Sequence, residues 1–198
     1  LPKAVTLAKL FKQNGYKTAS LGKIYHNTRD NIDEWDIHKS FQNFTGYQNP
    51  KSIKEINDRK ERHPSNGKFK GPAFEYANVA DDAYNDGKLT DYAIKTLNDF
   101  KKSGDPFFLA VGYISTHLPF IQPEKYGNMY NDNDIVYSKL KDIPINAPTR
   151  ARHQWSELRN AYLDIPKNGP VSSQMEKDLI KSYYASVSYM DAMLGKLI

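Results

Sequence analysis

The 198-residue chain contains no cysteine, which excludes disulfides and cysteine-based metal sites but says nothing of the compartment. No stretch approaches the roughly 18 consecutive apolar residues of a membrane span. There is no charged start followed by an apolar core, so no signal peptide is read at Leu1-Pro2-Lys3. Internal repeats and low-complexity segments are absent too. Charge is not concentrated in one sign: 28 Lys+Arg stand against 23 Asp+Glu, and the net +5 is spread along the chain. Nucleic-acid binders gather such an excess into a stripe. The densest basic region, residues 51–70, is interrupted by Glu55, Asp58 and Glu61 and reads as a solvated face. Neither a nucleic-acid partner nor a membrane span is expected.

What is present fits a packed fold. Aromatic residues make up 13% and apolar residues 39% of the chain, too many for a disordered segment, and the length suits one domain with a real core. The first residue is not Met, and the last helical pattern still runs at the final residue. The whole chain, 1–198, is therefore expected to be the central part of a longer catalytic domain.

Pro2 and the face Ala4, Leu7, Ala8, Phe11 predict a helix ended by Asn14-Gly15. Residues 16–21 read as a short strand, and Gly22-Lys23 begins a loop. Residues 27–88 carry weak periodicity and many turn formers, among them Asn49-Pro50 and Asn66-Gly67, and read as a long irregular loop. Asn43-Phe44-Thr45 matches a glycosylation sequon that also arises by chance. The helical period returns at Leu89, Ala93, Leu97 and Phe100, and Ser103-Gly104-Asp105-Pro106 breaks it. Residues 107–113 form an apolar run expected to be a strand buried on both faces. A second irregular loop covers 115–170. The last helix opens on a predicted Ser173/Glu176 capping box, with an apolar stripe of Met175, Leu179, Tyr183, Val187, Met190, Leu194 and Leu197. Helix followed by buried strand is α/β grammar, with the two long loops expected over the active face.

Two loops that directly follow predicted strands hold the residues suited to chemistry. One carries Lys23 and His26, the other His117. In open α/β sheets, loops at the carboxyl ends of strands form the ligand crevice, so parallel strands would let Lys23, His26 and His117 converge. A lysine supplies fixed charge and donors, and histidines donate hydrogen bonds or hand a proton to a leaving group near neutral pH. Such a set suits an anionic tetrahedral group, sulfate or phosphate. Each residue also has an ordinary reading as a turn lysine or a loop histidine. Asp81-Asp82 reads as helix-entry charge rather than a cation site. His38, His63 and His153 read as surface residues. Trp35, Phe41, Tyr47 and Trp155 read as plugs beneath loops or as sugar-stacking platforms.

Taken together, three stretches resemble segments of the sulfatase family, specifically its iduronate-2-sulfatase-like branch: Gly15 to His26 (GYKTASLGKIYH), Pro106 to Phe120 (PFFLAVGYISTHLPF) and Ser182 to Asp191 (SYYASVSYMD); Gly71 to Lys88 and Glu157 to Pro166 also resemble its bacterial members. They occur in family order along nearly the whole chain. The resemblance implies an alkaline-phosphatase-like α/β fold and hydrolysis of sulfate esters on sulfated carbohydrates. It further implies a formylglycine nucleophile, made by a formylglycine-generating enzyme, and a calcium ion, in a secreted or periplasmic setting. By the same resemblance Lys23 and His117 contact sulfate, His26 holds a formylglycine hydroxyl, and His117 protonates the departing alcohol. The chain lacks a Cys-x-Pro-x-Arg or Ser-x-Pro-x-Arg motif and the family's paired Asp ligands, so nucleophile and metal site are expected outside it. No metal ligand is assigned within it, and by itself it is expected to be inactive. Ile114-Ser115-Thr116 stands where iduronate-type members often carry His-Lys-Pro, so uronate is not implied as the substrate. A phosphate or phosphonate ester hydrolase of the same superfamily and a non-catalytic glycan-binding derivative remain alternatives.

Overall fold

The computed structural model describes residues 4–26, 32–41, 46–62, 71–136, 140, 144–151 and 157–198. The chain divides into two compact units, residues 1–44, 80–115 and 190–198 forming one and residues 45–79 and 116–189 the other.

The first unit is built on a parallel three-stranded sheet. Its strands are β1 (Lys17–Gly22), β2 (Ile37–Lys39) and β4 (Phe107–Gly112), in the order β2-β1-β4. Register runs Ala19↔Ile37 on one side and Lys17↔Phe107 to Gly22↔Gly112 on the other. Alternation along the strands sends Leu21, Leu109 and Val111 to one face, where Leu89 and Ala93 of helix α3 (Asn85–Ser103) close a core cluster. The opposite face of β4 presents Phe108, stacked on Phe11 of helix α1 (Leu7–Gln13) at 4.5 Å and on Trp35 at 5.7 Å. Helices therefore lie on both faces of a parallel sheet, as expected from the α/β pattern.

The buried strand is β1, in which Thr18, Ala19, Ser20 and Leu21 are all inaccessible. The apolar run of β4, expected to be buried on both faces, is only half-buried. Among the described residues β4 has a paired neighbour on one side alone, and an apolar run does not distinguish a central strand from an outer one.

Asp36 holds β2 beside β1. Its carboxylate accepts from the Thr18 amide at 2.8 Å and hydroxyl at 3.1 Å, and pairs with Lys12 at 3.0 Å. Burial pushes this carboxyl up, but the Thr18 bonds and Lys12 outweigh it and hold it below the ordinary value. A lowered folded value contributes stability above the unfolded value, about 3.9, and that stability is lost as pH falls through the lowered one.

In the second unit β3 (Phe74–Ala77) and β5 (Phe120–Pro123) pair in parallel, Phe74↔Phe120. Residues 27–88, expected to be irregular, contain the 13-residue helix α2 (Pro50–Arg62) as well as β2 and β3. The Asn49 side chain accepts from the Lys51 amide at 3.0 Å, so Asn49-Pro50 is a helix start, cap then N1 proline, rather than a turn. Residues 115–170 likewise contain β5, helix α4 (Glu124–Gly127) and helix α5 (Glu157–Ala161). The remaining helix is α6 (Ser173–Leu197). Its cap is Ser172, whose hydroxyl accepts from the Met175 amide at 3.1 Å, one residue before the expected position. Its buried face is Ser182, Ala185, Ser186, Tyr189 and Met193. The apolar stripe expected to face the core leaves Tyr183, Val187 and Leu194 exposed. Ser182 turns inward because it takes a partner there, the Tyr76 hydroxyl at 2.8 Å.

Two outcomes are expected. Leu21→Ala, at a fully buried site, should destabilise by roughly 2–5 kcal/mol, read from the midpoint of chemical denaturation. Asp36→Asn should flatten the acid limb of the stability–pH curve below about pH 4 and leave the limb above pH 7 unchanged.

Candidate active site

At the carboxyl ends of β1 and β4 the two backbones touch. Gly22 adopts φ +77°, a region that favours glycine. A Cβ there would lie 2.3 Å from the Gly112 carbonyl oxygen, and a Cβ on Gly112 would lie 2.0 Å from the Lys23 carbonyl oxygen. The Lys23 amide donates to Gly112 at 2.7 Å. The chain therefore leaves the sheet at one fixed point, with Lys23 as its first residue beyond the strand.

Lys23 Nζ lies 3.3 Å from His26 Nδ1. An ammonium only donates, so Nδ1 accepts and the ring's own proton sits on Nε2. Lys23 is half-buried and His26 exposed. Together they present a positive charge and an N–H donor at a strand's carboxyl end, an arrangement suited to an anion's oxygens.

The other strand end is fixed by Asp86, a residue that sequence reasoning missed. It is 3% exposed, and its two carboxylate oxygens accept from the amides of Ile114 at 3.0 Å and Ser115 at 2.9 Å. Thr90, one turn along α3, donates to the Asp86 carbonyl at 2.8 Å and meets the Tyr113 hydroxyl at 3.0 Å. A buried carboxylate is tolerated here because it is fully hydrogen-bonded and lies in the first turn of a helix. The expected helix began at Leu89, which left Asp86 outside it and hid that signal.

His117 belongs to the second unit. It precedes a cis Leu118–Pro119 bond, and its side chain is 42% exposed. Nδ1 lies 2.6 Å from the Leu118 carbonyl oxygen, and Nε2 lies 3.7 Å from a Glu157 carboxylate oxygen. A carbonyl accepts only, so Nδ1 carries a proton and Nε2 is the nitrogen left for exchange. The structure thus brings Lys23 and His26 together and joins His117 to Glu157, which lies in a family-like stretch of the sequence but carried no assigned role.

Other expectations resolve as follows. Asp81 lies 2.7 Å from Lys196 at the entry to α3, a structural ion pair. His38 sits half-buried in β2, not on the surface, and its Nδ1 has no hydrogen-bond partner among the described residues. Trp35 and Tyr47 are buried, and Phe41 packs on the Leu21 cluster; all three are plugs. His63, His153, Trp155 and the Asn43-Phe44-Thr45 sequon lie outside the described residues. Among the described residues no three His, Asp or Glu side chains gather as a metal site.

Asp86→Ala would strand two buried amides, at about 1–3 kcal/mol each. The expected outcome is faster hydrogen exchange at Ile114 and Ser115, by about tenfold or more, with little change in the peptide spanning β2, read by mass spectrometry.

Comparison with known proteins identifies the family. The Sulfatase family model matches residues 2–198. The chain is 30% identical over 205 residues to iduronate 2-sulfatase of Homo sapiens, covering 98% of this chain and 36% of that protein. Iduronate 2-sulfatase of Mus musculus gives 30% over 208 residues with the same coverage. A sulfatase of Formosa agariphila gives 25% over 219 residues, 98% of this chain and 37% of that protein. The chain thus spans about a third of the length of the curated relatives it matches.

Proposed function

The chain belongs to the sulfatase family, and on that premise we propose that the enzyme containing it hydrolyses sulfate esters carried on sugars. The parallel strands flanked by helices are those of an alkaline-phosphatase-like fold. The observation that carries the reading to named residues is the Lys23–His26 pair, held where β1 ends against Gly112.

In this reading the Lys23 ammonium binds a sulfate oxygen and stabilises the charge that builds there as the ester bond breaks. His26 donates Nε2–H beside it, to the nucleophile's hydroxyl. His117 contacts the sulfate and delivers a proton from Nε2 to the departing sugar oxygen, because Nδ1–H is committed to Leu118. The sugar leaves as an alcohol, and His117 regains its proton from water. Ser115 and Thr116 put no cationic side chain beside His117 in sequence, so a uronate is not proposed as the substrate.

The reading also implies formylglycine and calcium, and a formylglycine-generating enzyme as maturation partner. The described residues do not fit a calcium site, and the chain contains no maturation motif. Apart from the nucleophile hydroxyl that His26 would hold, neither group is assigned to residues of this chain. Among the described residues no helix is long and apolar enough to cross a membrane. The setting proposed is secreted or periplasmic.

The test is sulfate release from sulfated sugars by the complete matured enzyme, with and without a calcium chelator. Release that the chelator abolishes is expected. Lys23→Ala and His117→Ala should each lower kcat/KM by about 10²–10⁴. Full turnover in His117→Ala, or a preference for phosphate esters, would refute the assignment.

A further inference from the structure

The proposed proton donor has a carboxylate facing the nitrogen that must carry the proton. Nδ1 of His117 is committed to the Leu118 carbonyl at 2.6 Å. Nε2, whose protonation can change, looks at Glu157 Oε2 at 3.7 Å. An ionised carboxylate offers only acceptors, so it is a partner for an Nε2–H and not for a bare ring nitrogen.

The pairing is built rather than incidental. Leu118, which follows His117, and Leu158, which follows Glu157, pack against the same buried cluster of Ala73, Tyr162 and Ile165. The two side chains thus emerge from neighbouring points of one apolar support, although 40 positions separate them in sequence. The Glu157 side chain is 20% exposed, so its charge is less screened than that of a surface acid. Arg159, on the same short helix, sends its guanidinium to the Pro166 carbonyl at 2.7 Å.

We infer that Glu157 is the positioning residue of the proton donor: it orients the His117 ring and holds Nε2–H ready for the leaving oxygen. The inference rests on the sulfatase reading above. The separation of 3.7 Å is that of an ion pair, longer than a hydrogen bond. The ring can therefore turn Nε2–H toward a substrate oxygen without first breaking a tight bond. As the sulfur–oxygen ester bond breaks, its electron pair stays on the sugar oxygen, which takes the Nε2 proton. Neutral His117 keeps Nδ1–H on Leu118.

The experiment compares two esters in the complete enzyme. A nitrophenyl sulfate releases a stable phenolate and needs no proton, whereas a sugar sulfate releases an alkoxide and does. Glu157→Gln keeps the shape and removes the charge. The expected result is a loss of kcat on the sugar sulfate of about tenfold or more, a KM within about twofold, and a much smaller loss on the nitrophenyl ester. Glu157→Asp should restore part of the difference. Equal losses on both esters, or no loss on either, would overturn the inference. A wild-type enzyme that cleaves neither ester would count against the sulfatase reading instead. The placement of Glu157 is then decided by ¹⁵N spectra of the histidine rings near neutral pH: Glu157→Gln should move the His117 Nε2 resonance far more than Nδ1, and an unmoved Nε2 resonance would overturn the inference.

Discussion

Two strand ends meet with no room for a side chain on either. The Gly22 and Gly112 backbones approach so closely that a Cβ on one would enter the other chain's carbonyl region, and the Lys23 amide closes the contact on Gly112. This contact sets where the chain departs from the sheet and which side chain departs first. A larger residue at either position would push the strand ends apart, and Lys23 would lose its origin before any catalytic group was altered. The two glycines are therefore part of the site although neither has a side chain to bring to it.

Beyond the sheet, order depends on acids that accept backbone amides. Asp36 takes the Thr18 amide, Asp86 those of Ile114 and Ser115, Glu75 those of Gln48 and Asn49, and Asp164 that of Ala73. Apart from Thr18, the amides they accept lie just outside a strand or helix, where ladder or helix partners are lost and an unpaired amide would be costly. The balance differs from site to site. At Asp36 hydrogen bonds and Lys12 outweigh burial, whereas at Asp164 burial prevails over the Ala73 bond and pushes the carboxyl up.

What could be read from the sequence follows the range of the interaction that decided it. Strand β1, the loop after it and the α/β alternation were legible because periodicity and a Gly-Lys turn are local. Helix α2 was not legible: Asn49-Pro50 reads as a turn, and the helix buries only Ser52 and Ile56, too sparse an apolar pattern to mark it. The inner face of α6 was not legible. Its most apolar stripe is partly outside, and serines are inside because Tyr76 reaches Ser182 from another element. Hydrophobicity ranks faces by transfer from water and takes no account of a buried hydroxyl that finds a partner.

The same distinction separates the groups proposed to bind charge from the groups proposed to govern the proton. Lys23 and His26 are three residues apart, and one loop brings them together, so a motif captures them. The surroundings of His117 are set differently. One nitrogen is fixed by the adjacent carbonyl, a contact within two residues, and the other faces an acid on a distant helix. A motif ending at Phe120 contains the first constraint and omits the second. Binding an anion requires only that a cation be near, which local sequence can ensure. Delivering a proton, as proposed for His117, requires that it rest on one chosen nitrogen, and in that proposal the choice belongs to the packing that sets Leu118 and Leu158 on one cluster.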